Sequence, residues 1–265
     1  HLPREQPLAV EEWDEGDLAE VSDCYRRVSL ERNGMMDRPE WWWEPRVFSE
    51  VPPNAFLYRY RVVEAGRTTG YVVYTLKPDA RPDFPIHWAP EPESFAVVAR
   101  ELVWETAAAA RSLLGFLAAQ RTIGKDLYWN GPANDPLLTF FPEHHPTLQG
   151  SYTWMTRIVH VSEALRLRGY PTGLDAEVRL QVVDPVVQGN DGPVSLIVRD
   201  GRAEVGPASR ADLQVTVNGL AALYSGWMSA YDASRAGLLT GATGQELAIL
   251  ARLFQGTSPY LNEMF

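Results

Sequence analysis

The end of the sequence carries the residues best suited to fixing a reactive group in place. It reads LFQGTSPYLNEMF, so aromatic and apolar side chains stand where most chains have a polar, mobile tail. The pattern predicts a helix that ends near Phe254, a break at Gly256 and a turn at Pro259, after which the chain runs on to Phe265. A terminal carboxylate held in one place can attract a cationic amine and accept its proton, directly or through a water.

The terminal carboxylate is a weak base unless its surroundings change its pKa. A free α-carboxyl group has a pKa of about 3.3–3.7. Burial beside Met264 and the ring of Phe265 would raise this pKa, whereas a nearby ammonium group would lower it. The sequence leaves both directions open. It also leaves open a purely structural interpretation, in which the last residues form a tail that only packs against the domain.

The other reactive residue types are isolated in the sequence. Cys24 falls in a helical pattern and is interpreted as a buried structural thiol. The run Trp41–Trp43 could stack on a ligand ring, but it is interpreted as a short helix at a domain boundary, and His144-His145 as a surface loop. The Cys, His and Asp residues lack the spacing of a metal site, so we predict none.

Composition and charge exclude several classes of protein. The 265 residues include no apolar run near the ~20 residues that span a bilayer, so a membrane protein is not expected. The net charge of −10, with 15 basic and 23 acidic residues up to residue 150, disfavours nucleic acid. The acidic charge either favours cationic small molecules or serves only to keep the protein in solution, and the sequence leaves both open. A single cysteine and the lack of a signal-peptide pattern favour the cytoplasm.

The first half of the sequence predicts a mixed α/β domain. A short strand leads to a helix that Asp14 and Asp17 cap. A second short helix carries the Trp run. The segments AFLYRYRVV and TTGYVVYTL, separated by EAGR, predict a hairpin, and SFAVVARELVW predicts a third antiparallel strand. A helix from Thr106 and the strand DLYW complete the pattern.

The second half predicts an α+β domain with a five-stranded sheet and helices on one face. The five strand segments are TWMTRIVHV (residues 153–161), AEVRLQVVD, PVSLIVRDG, RAEVGP and DLQVTV. Ser162 is expected to cap the helix after the first of them. Three further helical patterns cover residues 218–228, 232–239 and 243–254.

Together the two halves resemble the C-terminal two-thirds of the enhanced intracellular survival (Eis) family of N-acetyltransferases. In the first half the similarity is carried by YVVYTL, RSLLGFLAAQ and LYWNGPANDPL. In the second half it is carried by WMTRIVHVSEALRLRGYP, NDGPVSLIVRDGRAEV, DLQVTVNGLAALYSG and the final aromatic after a proline. The resemblance covers nearly the whole chain. It implies an α+β fold class: a GNAT-like domain over residues 1–148 with a mixed sheet, then a sterol carrier protein-like domain over 149–265.

The resemblance also implies a function. Complete family members transfer acetyl from acetyl-CoA to primary amines of cationic substrates, such as aminoglycosides, and form oligomers. Their chain-terminal carboxylate acts as a base in the active site of an N-terminal GNAT domain. By similarity, Phe265 supplies that carboxylate, and Glu263 and Met264 are candidate substrate contacts, although some members have an acidic residue at the position of Met264. The chain starts at His1, and the expectation is that the N-terminal GNAT domain lies in about 100–150 further residues ahead of it.

Acetyl-CoA is expected to bind to that N-terminal domain and not to this chain. A functional GNAT domain has a glycine turn before the helix that binds the diphosphate. Here the junction reads WETAAAARSLLG, which lacks paired glycines and places Glu105 where phosphate would lie.

Two other hypotheses remain open at the level of sequence. The first is a lipid or sterol carrier with an apolar tunnel around residues 220–253, and the second is a non-catalytic oligomerisation protein.

Overall fold

The chain folds into two compact units. The computed structural model describes residues 6–49, 56–78, 95–122, 124–141 and 146–263. One unit comprises His1–Glu31, Met35–Gln149 and Tyr260–Phe265, and the other comprises Arg32–Gly34 and Gly150–Pro259. The segment that follows Pro259 therefore belongs to the first unit, although the hundred residues before it belong to the second.

A five-stranded sheet forms the centre of the first unit, with its strands in sequence order. The strands are β1 (Val10–Glu12), β2 (Leu57–Glu64), β3 (Arg67–Pro78), β4 (Phe95–Trp104) and β5 (Gly124–Trp129). Strands β1 to β4 pair antiparallel, and β5 pairs parallel with β4. The predicted hairpin between β2 and β3 is confirmed, because Ala65 and Gly66 have φ angles of 52° and 75°, as a tight two-residue turn requires.

Helices cover the two faces of this sheet. They are α1 (Leu18–Leu30), α2 (Glu40–Trp43) and α3 (Ala107–Ala119). Successive residues of β3 point to opposite faces, so Tyr71 packs in the cluster with α1, whereas Val72 packs in the cluster with α3. A Cβ atom at Gly70 would lie 3.1 Å from the Ala109 Cβ, so a glycine here lets α3 approach the strand closely.

Hydrogen bonds from nearby side chains explain where the two longer helices of this unit begin. Asp14 and Asp17 form the predicted capping box ahead of a 3₁₀ turn (Glu15–Asp17) that leads into α1. The Thr106 Oγ accepts a hydrogen bond from the Ala109 N–H at 3.1 Å and so caps α3. Both starts follow from residue types that satisfy the free N–H groups of a first helical turn.

Strands β4 and β5 stay paired along only part of their length. Their register runs from Phe95 opposite Gly124 to Ala99 opposite Trp129. At the next residue, Arg100, β4 has one residue more than β3, which is a β-bulge. The remainder of β4 pairs with β3 alone among the described strands, so its other edge is available to another part of the chain.

The second unit contains a five-stranded sheet in the order β10-β9-β6-β7-β8. Its strands are β6 (Ala176–Val183), β7 (Gly192–Arg199), β8 (Arg202–Pro207), β9 (Leu213–Thr216) and β10 (Leu239–Thr240). Its helices are α4 (Val161–Leu167), α5 (Val217–Ser225), α6 (Ala230–Arg235) and α7 (Gly244–Leu253). All neighbours pair antiparallel except β6 and β9.

Three details of the prediction for this unit are wrong. The segment 153–161 is not a strand, and the fifth strand is instead Leu239–Thr240, whose first residue is the last one of the predicted helix 232–239. Side-chain hydrogen bonds explain the first difference. The Asn190 amide donates to the carbonyls of Ile158 and Val159 and accepts from the N–H of Val161, so these backbone groups do not pair with a neighbouring strand. The helix cap also differs: the side chain of His160, not that of Ser162, accepts the bond from the first turn of α4.

Candidate functional site

The segment 260–263 is bound along the open edge of β4 and at the end of β5. The Tyr260 hydroxyl donates to the carbonyl of Asn130, which directly follows β5, at 2.9 Å. The side chain of Asn262 bridges both strands. Its Nδ2 donates to the Arg100 carbonyl at 2.8 Å, and its Oδ1 accepts from Asn130 Nδ2 at 3.1 Å. These three bonds fix the position of the segment along the sheet.

The segment ends, within the described residues, at a buried cluster of charges around Arg38. The side chains of Arg38, Glu101 and Glu263 are only 1–2% exposed. Arg38 Nη2 donates to the two oxygens of Glu101 at 3.0 and 3.2 Å, and Nε donates to Glu263 Oε1 at 2.8 Å. The second oxygen of Glu263 accepts from Trp42 Nε1 at 2.9 Å. Both carboxylates are therefore hydrogen-bonded, as buried charges must be.

Aromatic rings hold the Arg38 guanidinium on its flat faces. Its central carbon lies 4.0 Å from the centre of the Tyr25 ring and 4.9 Å from that of Trp43, both within cation–π range. The neighbouring carboxylate of Glu101 is the largest influence that raises the pKa of Arg38, in opposition to burial. Burial, reinforced by the Glu101 charge, holds the pKa of Tyr71 well above its ordinary value, so Tyr71 is a neutral donor to Glu101 at 3.4 Å.

The predicted site residues fall partly outside the described residues. Met264 and Phe265 lie beyond them, as do His144 and His145. Glu263 is described, and its carboxylate binds Arg38 and Trp42. Contact of Glu263 and Met264 with a substrate, and the action of the Phe265 carboxylate as a base, stay predictions.

Reasoning from the sequence missed Arg38 and Glu101. A signal for Glu101 exists, since it occupies an inward-facing position in the alternation of β4, where the other inward residues are apolar. A charged residue at such a position needs a buried partner. Arg38 lies in an irregular polar stretch and gives no such signal, because its importance comes from residues 63 and 225 positions away.

Comparison with known proteins assigns both units to known folds. Residues 34–158 match the family model described as acetyltransferase (GNAT) domain, and residues 161–262 match the sterol carrier protein domain. The chain is a GNAT-like fold followed by a sterol carrier protein-like fold. No curated protein matches the sequence significantly.

Solved structures contain the same two folds in the same order. A GCN5-related N-acetyltransferase from Anabaena variabilis ATCC 29413 superposes on 99% of the chain with a TM-score of 0.87 and 26% identity. One from Kribbella flavida covers 97% with a TM-score of 0.74 and 25% identity. Eis1 from Mycobacterium abscessus covers 100% with a TM-score of 0.71 and 22% identity, which is a likeness of fold. The chain spans 64%, 60% and 65% of their respective lengths.

GNAT acetyltransferases use acetyl-CoA, so the junction between β4 and α3 of the GNAT-like fold is the place to test for a diphosphate site. Here the chain's own carboxylates surround the start of α3. Glu64 accepts a bond from the Thr106 hydroxyl at 3.2 Å, and Glu105 is bound by Arg27 at 3.0 Å and by Arg67 at 2.9 Å. Two anions thus lie where a diphosphate would need free N–H groups and cations. The described residues of this junction do not fit the cofactor.

The remaining candidates from the sequence have structural roles. Cys24 is buried between α1 and the sheet, and desolvation raises the pKa of its thiol to about 12, so it is a poor nucleophile. In the Trp run, Trp43 is buried, Trp42 binds Glu263 and Trp41 is exposed. Across the described part of the chain, His, Cys, Asp and Glu side chains form no group that could hold a metal ion.

The sterol carrier protein-like fold has a filled core. Leu220, Leu223, Leu250 and Leu253, on the helices expected to line a tunnel, are at most 1% exposed and pack in one cluster with the strands. This packing does not favour the lipid-carrier hypothesis. Among the described helices of the whole chain, none has the length and apolar character needed to cross a bilayer.

Proposed function

We propose that the chain is the C-terminal portion of an Eis-like GNAT-family N-acetyltransferase that transfers acetyl from acetyl-CoA to primary amines of cationic substrates, such as polyamines or aminoglycosides. The observation that carries the proposal is the order of the two folds along the whole chain, which is also that of GCN5-related N-acetyltransferases and of Eis1. In this proposal the chain supplies walls of the substrate site, contacts between subunits and the terminal carboxylate.

The acetyl-CoA site belongs, in this proposal, to a GNAT domain ahead of residue 1. The solved structures that the chain matches are longer than it by roughly half to two thirds of its own length, since it spans 60–65% of them. The carboxylates of Glu64 and Glu105 at the start of α3 support a cofactor site outside this chain. Binding of acetyl-CoA to this chain alone, measured by calorimetry, would contradict this part of the proposal.

The Phe265 carboxylate is proposed to act as the base. A primary ammonium must lose a proton before its nitrogen can attack, and a fixed carboxylate both attracts the cation and accepts that proton. The bonds that Glu263 makes support a fixed position, because two further residues extend the chain by at most about 7 Å from a buried anchor. Met264 would then lie beside the substrate, and the chain's net charge of −10 favours approach of a cation.

The test compares variants of the protein extended upstream by the GNAT domain. Deleting Phe265 moves the carboxylate back by one residue and should lower kcat at least tenfold, measured by release of free CoA with a polyamine or an aminoglycoside. Phe265→Leu keeps a terminal carboxylate in place and is the matched control, with a smaller expected loss. Equal kcat values for the deletion and the intact protein would contradict the role of the carboxylate.

We propose that the protein forms a homo-oligomer. Within each chain, the proposed partner of the two units is the upstream GNAT domain. Exposed apolar side chains on the second unit support a contact surface, because Tyr152, Met155 and Val159 are at least 71% exposed. Sedimentation of the extended protein tests this point, and a monomer at micromolar concentration would contradict it.

A further inference from the structure

The Arg38 cluster contains an ion pair that is complete without Glu263. Arg38 Nη2 binds both oxygens of Glu101, and the Tyr71 hydroxyl also donates to that carboxylate. This pair has no net charge. Glu263 adds a second carboxylate to the same guanidinium: its Oε1 accepts from Nε at 2.8 Å and also lies 2.6 Å from Nη2, the nitrogen that binds Glu101. Its departure would therefore leave a balanced buried pair and not an isolated charge.

The groups that receive Glu263 are held by residues outside the segment 260–263. Tyr25 and Trp43 stack on Arg38 from α1 and α2, and Glu101 comes from the part of β4 that pairs with β3 but not with β5. Trp42 presents its Nε1–H to the second oxygen of Glu263 at 2.9 Å. The receiving surface is thus assembled from α1, α2 and β4, and offers two donors to one carboxylate.

Bonds to the neighbouring residues place the carboxylate at these donors. Asn262 is fixed to the Arg100 carbonyl at the bulge and to Asn130 after β5. A shift of the segment by one residue would put a different side chain opposite Arg38, and Glu263 is the one acidic residue in the sequence from Thr257 to Phe265. Polar contacts that set the register and a buried carboxylate that fits two donors are the features of a peptide-recognition site.

We propose that Arg38 and Trp42 form a docking site for the Glu263 carboxylate, which the chain's own segment 260–263 fills and vacates while the domain stays folded. The ligand class is a short extended peptide with a carboxylate side chain, Tyr-Leu-Asn-Glu in this chain. Through Glu263, Arg38 and Trp42 act as positioning residues for the last two residues of the sequence. Their influence on acetyl transfer rests on the proposed function, but docking itself does not.

Limited proteolysis with chymotrypsin tests docking without any measurement of activity. Cleavage after Tyr260 and Leu261 requires the segment to leave its site, and mass spectrometry follows the release of the last residues. Glu263→Ala should speed this cleavage about tenfold or more, as expected from loss of hydrogen bonds to a charged group. Trp42→Phe removes one donor and should give a smaller increase. Glu204→Ala, at an exposed acidic position of the second unit, is the matched control and should cleave at the wild-type rate.

Cleavage after Trp227, which is 64% exposed, serves as an internal reference. Faster release of the last residues in Glu263→Ala, with unchanged cleavage at Trp227, supports the docking site. Unchanged release would overturn it. Faster cleavage at both places would also overturn it, because Glu263 would then support the whole fold and not a separable segment. Failure of acetyl transfer in the extended protein would leave each of these results standing.

Discussion

Replacing Arg38 by Met removes the cation that Glu101 and Glu263 share in a region that is 1–2% exposed. Removing one partner of a buried ion pair costs about 3–5 kcal/mol, since the other charge is left uncompensated. Loss of the cation–π contacts with Tyr25 and Trp43 adds about 0.5–2 kcal/mol. We therefore expect a loss of about 3.5–7 kcal/mol, a large part of the 5–15 kcal/mol that stabilises a typical domain.

Urea unfolding followed by tryptophan fluorescence measures this loss in the appropriate unit, because seven of the nine Trp residues precede residue 150. Arg26→Met is the matched control: its pair with Asp23 lies on the surface, so it should cost less than about 1 kcal/mol. Adding Glu101→Gln to Arg38→Met should recover part of the loss, because one of the two unpaired carboxylates is removed. A loss below about 1 kcal/mol for Arg38→Met alone would refute the account of a shared buried cation.

Cys24 should resist thiol reagents in the folded protein, since burial raises its pKa to about 12; fast reaction before urea is added would contradict this. Asp184→Asn should weaken the pH dependence of the second unit. Hydrogen bonds from Asn190 first, and then from the backbone and from Arg157, lower the pKa of Asp184, so its stabilisation is complete above about pH 4 and is lost progressively as the pH falls from there through the lowered pKa. Urea midpoints at pH 7 and pH 3 should therefore differ less in this variant than in the wild type. Arg168→Met should destabilise the second unit by about 2–4 kcal/mol in thermal unfolding, because Arg168 donates to carbonyls at the ends of α5 and α7; an unchanged transition would exclude that role.

The parts of the fold that local chemistry determines could be predicted from the sequence. The capping box at Asp14 and the hairpin turn at Ala65 each depend on a few neighbouring residues, so the residue types alone indicate them. The order of strands and helices in the first unit follows in the same way from apolar periodicity. The resemblance of motifs along the chain then predicted both folds, which the comparisons confirm.

The errors and omissions arise where the local structure depends on residues that are distant in the sequence. The segment 153–161 has the composition of a strand, but its backbone groups at Val159 and Val161 are hydrogen-bonded to the side chain of Asn190. The composition of a segment shows whether its side chains suit a pleated sheet. It does not show whether a neighbouring strand is available for backbone pairing. The cluster around Arg38 was missed for the same reason, since its three charges come from positions 38, 101 and 263, and only the fold brings them together.

The separation of 225 residues between Arg38 and Glu263 also has a consequence in time. At about 5–20 residues per second, a ribosome makes Glu263 roughly 10–45 s after Arg38, whereas Glu101 follows Arg38 within roughly 3–13 s. During synthesis the nascent first unit can therefore bury Arg38 with Glu101 alone and wait in that state. Glu263 can bind Arg38 only after the second unit has been translated. A truncated chain would therefore lack this contact at the buried guanidinium of its first unit.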